Sequence, residues 1–108
     1  MRILFDNNIP RGLALALSGH VTTEARERGW ATLKNGDLLT AAEEAGFEVL
    51  VTSDKSIQCE QNLMGRKIAL VVLSQGRWEL VRRKSAEIAA AVSAAAPGSY
   101  TKVEITFE

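Results

Sequence analysis

Apolar and polar positions follow two different periods along this chain, and the changes of period mark out its elements. Residues 2–5 hold a continuous apolar run, Ile3-Leu4-Phe5, closed by Asp6-Asn7-Asn8. A short apolar run ended by turn formers predicts a strand buried on both faces. Asn7 or Asn8 is suited to cap the next element, and Pro10 falls where a first-turn proline belongs. A helix is predicted over about residues 10–17, with Leu13 and Leu17 four apart on one face and Ser18-Gly19 as its stop. Residues 20–23 make a short β-branched strand. Residues 24–28 make a helical turn that Gly29 ends, and residues 30–33 read as loop.

Asn35-Gly36 signals a turn. Asp37 then starts a helix running through Ala45, with Leu38, Leu39, Ala42 and Ala45 at helical spacing and Gly46 as its end. Residues 48–52 form the next strand, after the brief helix-to-strand join typical of βαβ units. A helix is predicted over about residues 55–64, broken at Gly65. Residues 67–73 contain the most apolar run of the chain and predict a central strand. From Trp78 to Ala95 the positions 78, 81, 85, 88, 92 and 95 step by three and four, which predicts one long amphipathic helix with Trp78 in the core. Pro97-Gly98 ends it. Residues 100–107 alternate, with Val103, Ile105 and Phe107 opposite Lys102, Glu104 and Thr106, as in a half-exposed edge strand open to antiparallel pairing.

Strand and helix alternate without repeat, low-complexity tract or linker. The expected class is α/β: a three-layer α/β/α sandwich with a mainly parallel sheet, one domain over residues 1–108. Crossovers are expected to be right-handed. Ligands in such sheets bind beyond the carboxyl ends of the strands, where the strand order reverses.

Composition narrows the chemistry. The 108 residues suit one domain, and a 46% hydrophobic fraction argues against disorder. Thirteen basic and thirteen acidic residues give zero net charge, so nucleic-acid binding would rest on local clusters. One cysteine, Cys59, excludes an internal disulfide and a cysteine metal cage, and no basic or histidine neighbour activates it. A single histidine, His20, excludes histidine-cluster sites. No segment has the length of a membrane span or the pattern of a signal peptide, so a soluble, cytoplasmic protein is expected.

Asp6 and Asp54 each follow a predicted strand, and Asp37 opens a helix that should begin at the same carboxyl edge. Converging carboxylates repel one another. Mg²⁺ or Mn²⁺ would relieve that repulsion, because hard cations take oxygen ligands, and a metal so held activates water for phosphoryl chemistry. Asn7 and Asn8 are suited to orient water or meet phosphate. The plainer readings are that Asp37 and Asp54 are N-caps and that Thr52 is strand filler, unless its hydroxyl binds a carboxylate. Arg11, Lys34 and Trp30 are the candidates for RNA contact, the cations for phosphate and the ring for a base, against the alternatives of a solvated face and a lid on the core.

The motifs Ile-Leu-Phe-Asp at residues 3–6, Gly-Asp-Leu-Leu at 36–39 with Ala42 and Gly46, and Val-Leu-Val-Thr-Ser-Asp at 49–54 together resemble the PIN-like domain superfamily. The likeness covers about residues 2–73 and lies nearest the small branch of presumed toxins in bacterial toxin–antitoxin pairs. It implies a Mg²⁺- or Mn²⁺-dependent ribonuclease with Asp6, Asp37 and Asp54 as catalytic and metal-binding acids, an RNA substrate and a cognate antitoxin protein. Larger members carry a further glutamate, for which Glu24 and Glu27 are the only acids in the corresponding stretch, with Glu24 the better placed. An inactive PIN-like binding module acting through a protein partner is the second expectation, and a homodimer through the last strand a third. A receiver-like phosphorylated domain is disfavoured, since Asp6 has no acidic neighbour and no lysine follows Leu73.

Overall fold

The computed structural model describes residues 1–33, 35–54 and 66–105. Five strands, β1 (Arg2–Phe5), β2 (Val21–Glu24), β3 (Val49–Thr52), β4 (Ala69–Leu73) and β5 (Tyr100–Val103), form one sheet in the order β2-β1-β3-β4-β5. Every neighbouring pair is parallel. β3 and β4 are flanked on both sides and buried at every position, as their unbroken apolar runs require. β5 lies at an edge, and Val103 and Ile105 are buried while Lys102 and Glu104 are exposed. It nevertheless runs parallel to β4, which corrects the antiparallel expectation. Alternation reports burial on one side and carries no information about direction.

Helices cover both faces. A 3-10 helix, Arg11–Leu17, and the helices α2 (Trp78–Val81) and α3 (Ser85–Ser93) bury Leu13, Leu17, Val81, Ile88 and Val92 against Ile3, Phe5, Val51 and Val71. On the opposite face α1 (Asn35–Glu44) buries Leu38, Leu39 and Ala42 against Leu4, Leu50, Leu70 and Val72. Alternate strand residues thus feed two cores, as a period of two demands.

Several boundaries differ from the pattern. Pro10 is the extended residue before the 3-10 helix, and no side chain caps that helix, so neither Asn7 nor Asn8 has this role. Asn35-Gly36 begins α1 instead of preceding it, which puts Asp37 inside the first turn, where its charge complements the helix dipole. The long helix is divided: a 3-10 turn, Arg82–Lys84, separates α2 from α3. The apolar spacing stays in phase across that turn, so periodicity does not reveal it. Trp78, expected in the core, is 41% exposed. The helix expected over residues 55–64 lies outside the described residues, as do Lys34 and Phe107.

The crossovers do not all share one hand. The β1–β2 connection and the β4–β5 connection cover the same face, yet they step across the sheet in opposite directions. Two parallel crossovers so arranged have opposite hands. The β2–β3 connection, on the other face and stepping the other way from β1–β2, shares the hand of β1–β2. The expectation of uniform handedness therefore fails.

Glu43 fastens α1 to the entry of β4. It accepts a hydrogen bond from the Lys67 amide and pairs with Arg66 Nη1 at 3.3 Å. The Lys67 amide, outweighing partial burial, and then the Ile68 amide and the Arg66 charge hold its carboxyl below the usual value. A depressed carboxyl stabilises the fold above its unfolded pKa, about 4.3, and that contribution fades as pH falls through the folded value. Wild type should therefore exceed Glu43→Gln in urea-unfolding stability at neutral pH, with the gap closing below about pH 4.3. A gap independent of pH would remove the Glu43 charge from this account. No helix among the described residues is long and apolar enough to cross a membrane.

Candidate functional site

The chain begins in β1, steps outward to β2 and then returns past β1 to β3, so the strand order reverses between β1 and β3. Asp6 leaves the carboxyl end of β1, and Thr52-Ser53-Asp54 leaves that of β3. The Asp6 amide extends the ladder by one bond to the Val51 carbonyl at 2.9 Å, which sets Asp6 beside Thr52.

Thr52 is a fully buried polar residue, and its hydroxyl makes two hydrogen bonds. It donates to Asp6 Oδ2 at 2.7 Å and accepts from the Asp54 amide at 3.0 Å. The other carboxylate oxygen of Asp6 accepts the Asn7 amide at 2.7 Å. Asp6 is therefore fixed through both oxygens, and each oxygen keeps a lone pair for another partner. Asp6 and Asp54 are both half-buried.

The asparagines hold the loops of this rim together. Asn8 Oδ1 accepts the Ser53 amide at 3.0 Å, joining the turns after β1 and β3. Asn7 Nδ2 donates to the Ala31 carbonyl at 2.9 Å, tying the first turn to the loop before α1. Gly76, after β4, completes the contact: a Cβ built there would overlap the Asn8 carbonyl oxygen and approach Ser53 Oγ to 3.4 Å. Both obstacles belong to ordered loops, so Gly76→Ala should cost about 1–3 kcal/mol. The thermal midpoint should drop by at least about 4 °C, and an unchanged midpoint would show that the loops separate freely.

The remaining candidates are placed as follows. Asp37 is exposed in the first turn of α1, at the carboxyl edge by topology. Thr52 links the Asp6 carboxylate to the Asp54 amide, and no group of three or more His, Cys, Asp or Glu side chains among the described residues is arranged to share a metal ion. Glu24 is committed elsewhere. It meets Arg11 Nε at 2.9 Å and Arg26 Nε at 3.4 Å, and it shares a reciprocal capping box with Glu27. Arg26 Nη2 also reaches the Asn7 carbonyl at 3.4 Å, so two cations flank the turn that carries Asp6. Beside them a cleft of about 370 Å³ opens between the 3-10 helix and β2, lined by Arg11, Ala14, Thr22, Glu24 and Glu27 among others. Trp30 covers the second core: it meets Phe47 edge-on at 6.1 Å and carries the Arg28 guanidinium at 4.9 Å. Lys34 lies outside the described residues.

Two carboxylates leaving adjacent strands suit Mg²⁺, which commonly takes one or two from protein and completes its octahedron with water and phosphate. Sequence reasoning overlooked Gly76, whose loop position gave no sign of the Asn8 contact. Comparisons with family models, with curated proteins and with solved structures found no match.

Proposed function

We propose that this chain is a three-layer PIN-like domain that hydrolyses RNA with the help of Mg²⁺ or Mn²⁺. The observation that carries the reading is the Thr52 hydroxyl, buried between the Asp6 carboxylate and the Asp54 amide at the point where the strand order reverses. The hydroxyl is hydrogen-bonded both ways, so its burial is compensated, and it fixes the Asp6 carboxylate in the way that a reacting group needs. Bound between Asp6 and Asp54, the ion would supply an activated water and offset phosphate charge. The protein's own part is to orient Asp6 through Thr52 and Asn7, to lock the rim through Asn8 and Ser53, and to offer Arg11 and Arg26 to phosphate. Asp37, in this reading, is the third acid, contributed from the α1 terminus.

The same reading makes the chain the cytoplasmic toxin of a toxin–antitoxin pair, held in check by its partner protein. It also allows a two-fold contact through the β5 edge, for which gel filtration as a monomer at high concentration would be the contrary result. A second reading has its own support. With no three-acid group among the described residues and both Asp6 oxygens engaged, a binding module that has lost the chemistry is the alternative.

The two readings separate in one experiment. Purified protein is incubated with RNA in Mg²⁺, in Mn²⁺ or in EDTA, and its melting temperature is followed in the same buffers. The nuclease reading expects cleavage with an ion, none in EDTA, and a rise in melting temperature through ligation. No cleavage and no rise would leave the binding module.

A further inference from the structure

We propose that Trp78, resting on Gly12, is a stacking platform for an unpaired base of the RNA; this rests on the nuclease reading above and adds a binding residue to it. Trp78 occupies the first turn of α2, whose Leu80 and Val81 are buried, yet its own side chain is 41% exposed. Its ring lies on the backbone of the 3-10 helix. A Cβ added to Gly12 would stand 2.8 Å from Trp78 Cζ2, 2.9 Å from Cη2 and 3.1 Å from Cε2. Glycine at position 12 thus lets the indole settle close to main chain while Trp78 keeps 41% of its surface in solvent.

The charges around the ring match a nucleic-acid strand. Arg11, next to Gly12, has a side chain 78% exposed, and Arg77, next to Trp78, one 64% exposed. Arg82, one helical turn beyond Trp78, is exposed as well. Arg11 and Arg77 each spend part of their guanidinium on a glutamate, Glu24 and Glu79, and retain further N–H donors. A part-exposed ring with exposed arginines next to it in the chain is the combination that binds single strands without reading sequence, the ring taking a base and the cations the phosphates.

The platform also sits in the right place. Trp78 is two residues beyond Gly76, whose backbone touches Asn8, and Asn8 is bonded to Ser53 between Thr52 and Asp54. A strand with one base on Trp78 can cross the Asp6–Asn8 turn toward the carboxylates.

The chain has two tryptophans, so stacking can be read from fluorescence once Trp30 is changed to Phe. In that background, with Asp6→Asn present and no divalent metal, a short single-stranded RNA should quench the emission and its blunt duplex should not. Trp78→Leu keeps an apolar cover on Gly12 and should weaken single-strand binding, measured by anisotropy of labelled RNA, by roughly five- to hundredfold. Trp78→Phe should stay within a few-fold of wild type. Equal quenching by strand and duplex, or equal affinity of the Leu and Phe variants, overturns the platform. Absence of quenching by RNA overturns it too, and quenching by a partner protein instead would assign this surface to a protein. Because binding is read without metal, metal-dependent cleavage lacking any quench would refute the platform alone, and quenching without cleavage would refute hydrolysis alone.

Discussion

Asp6→Asn should lower metal-dependent RNA cleavage by at least about a hundredfold, the usual scale for removing one charged group at a reacting centre. It should also cost some stability, and the reason is geometric. Asp6 accepts hydrogen bonds at both oxygens, from Thr52 Oγ1 and from the Asn7 amide. An asparagine has one acceptor and one donor end, so its Nδ2 must face one of those two donors. If it faces Thr52, the hydroxyl can turn its lone pairs to the new amide, but it already accepts the Asp54 amide, and its own proton then lacks a partner. The expected penalty is about 1–2 kcal/mol, a fall of about 5–15 °C in the thermal midpoint of a domain this size. Activity must therefore be measured well below that midpoint, with circular dichroism as the control on folding. Full cleavage by a folded Asp6→Asn variant would end the proposal that Asp6 is catalytic.

Much of this rim was visible in the sequence, for identifiable reasons. Ile3–Phe5 and Ala69–Leu73 are unbroken apolar runs, and only strands covered on two faces accommodate them, so the parallel centre of the sheet followed directly. The positions of Asp6 and Asp54 followed from strands of similar length ending in polar turns, while for Thr52 the sequence left strand filler and a hydroxyl bound to a carboxylate as alternatives, and the carboxylate it meets is that of Asp6. What stayed hidden depends on contacts between distant segments. Nothing in Ser74-Gln75-Gly76 reveals that Gly76 lies on the Asn8 carbonyl. Nothing near Trp78 reveals that its neighbour would be a glycine 66 positions earlier, which leaves the ring half in solvent. The direction of β5 is invisible because a one-sided strand looks alike in either orientation. Asp37 shows a different limit: topology brings its helix terminus to the same edge, but an edge is wide compared with the reach of a metal ion, and the alternation of strand and helix carries no distance between side chains along it.

Thr52→Val separates the architecture of the rim from its chemistry. Valine keeps the shape of threonine in a position with no solvent access, so no cavity forms and the strand packing stays intact. The change deletes the donor to Asp6 Oδ2 and the acceptor of the Asp54 amide together. Each partner is half-buried and loses its bond to this hydroxyl, so the cost should be about 2–4 kcal/mol in urea unfolding, with an unchanged slope against denaturant. Thr52→Ser retains the hydroxyl and loses one methyl, about 1 kcal/mol. Threonine thus differs from serine by packing and from valine by the hydrogen bonds, and the valine penalty should be the larger. Activity should rank differently from stability. Thr52→Val leaves both carboxylates in place but frees Asp6 to swing, so cleavage should fall by about tenfold, well short of Asp6→Asn despite the greater loss of stability. If cleavage instead tracks stability across the three variants, Asp6 matters only through the fold, and the reading of this rim as a reactive centre fails. If valine is as stable as threonine, the hydroxyl bridge contributes nothing, and the observation on which the functional proposal stands is withdrawn with it.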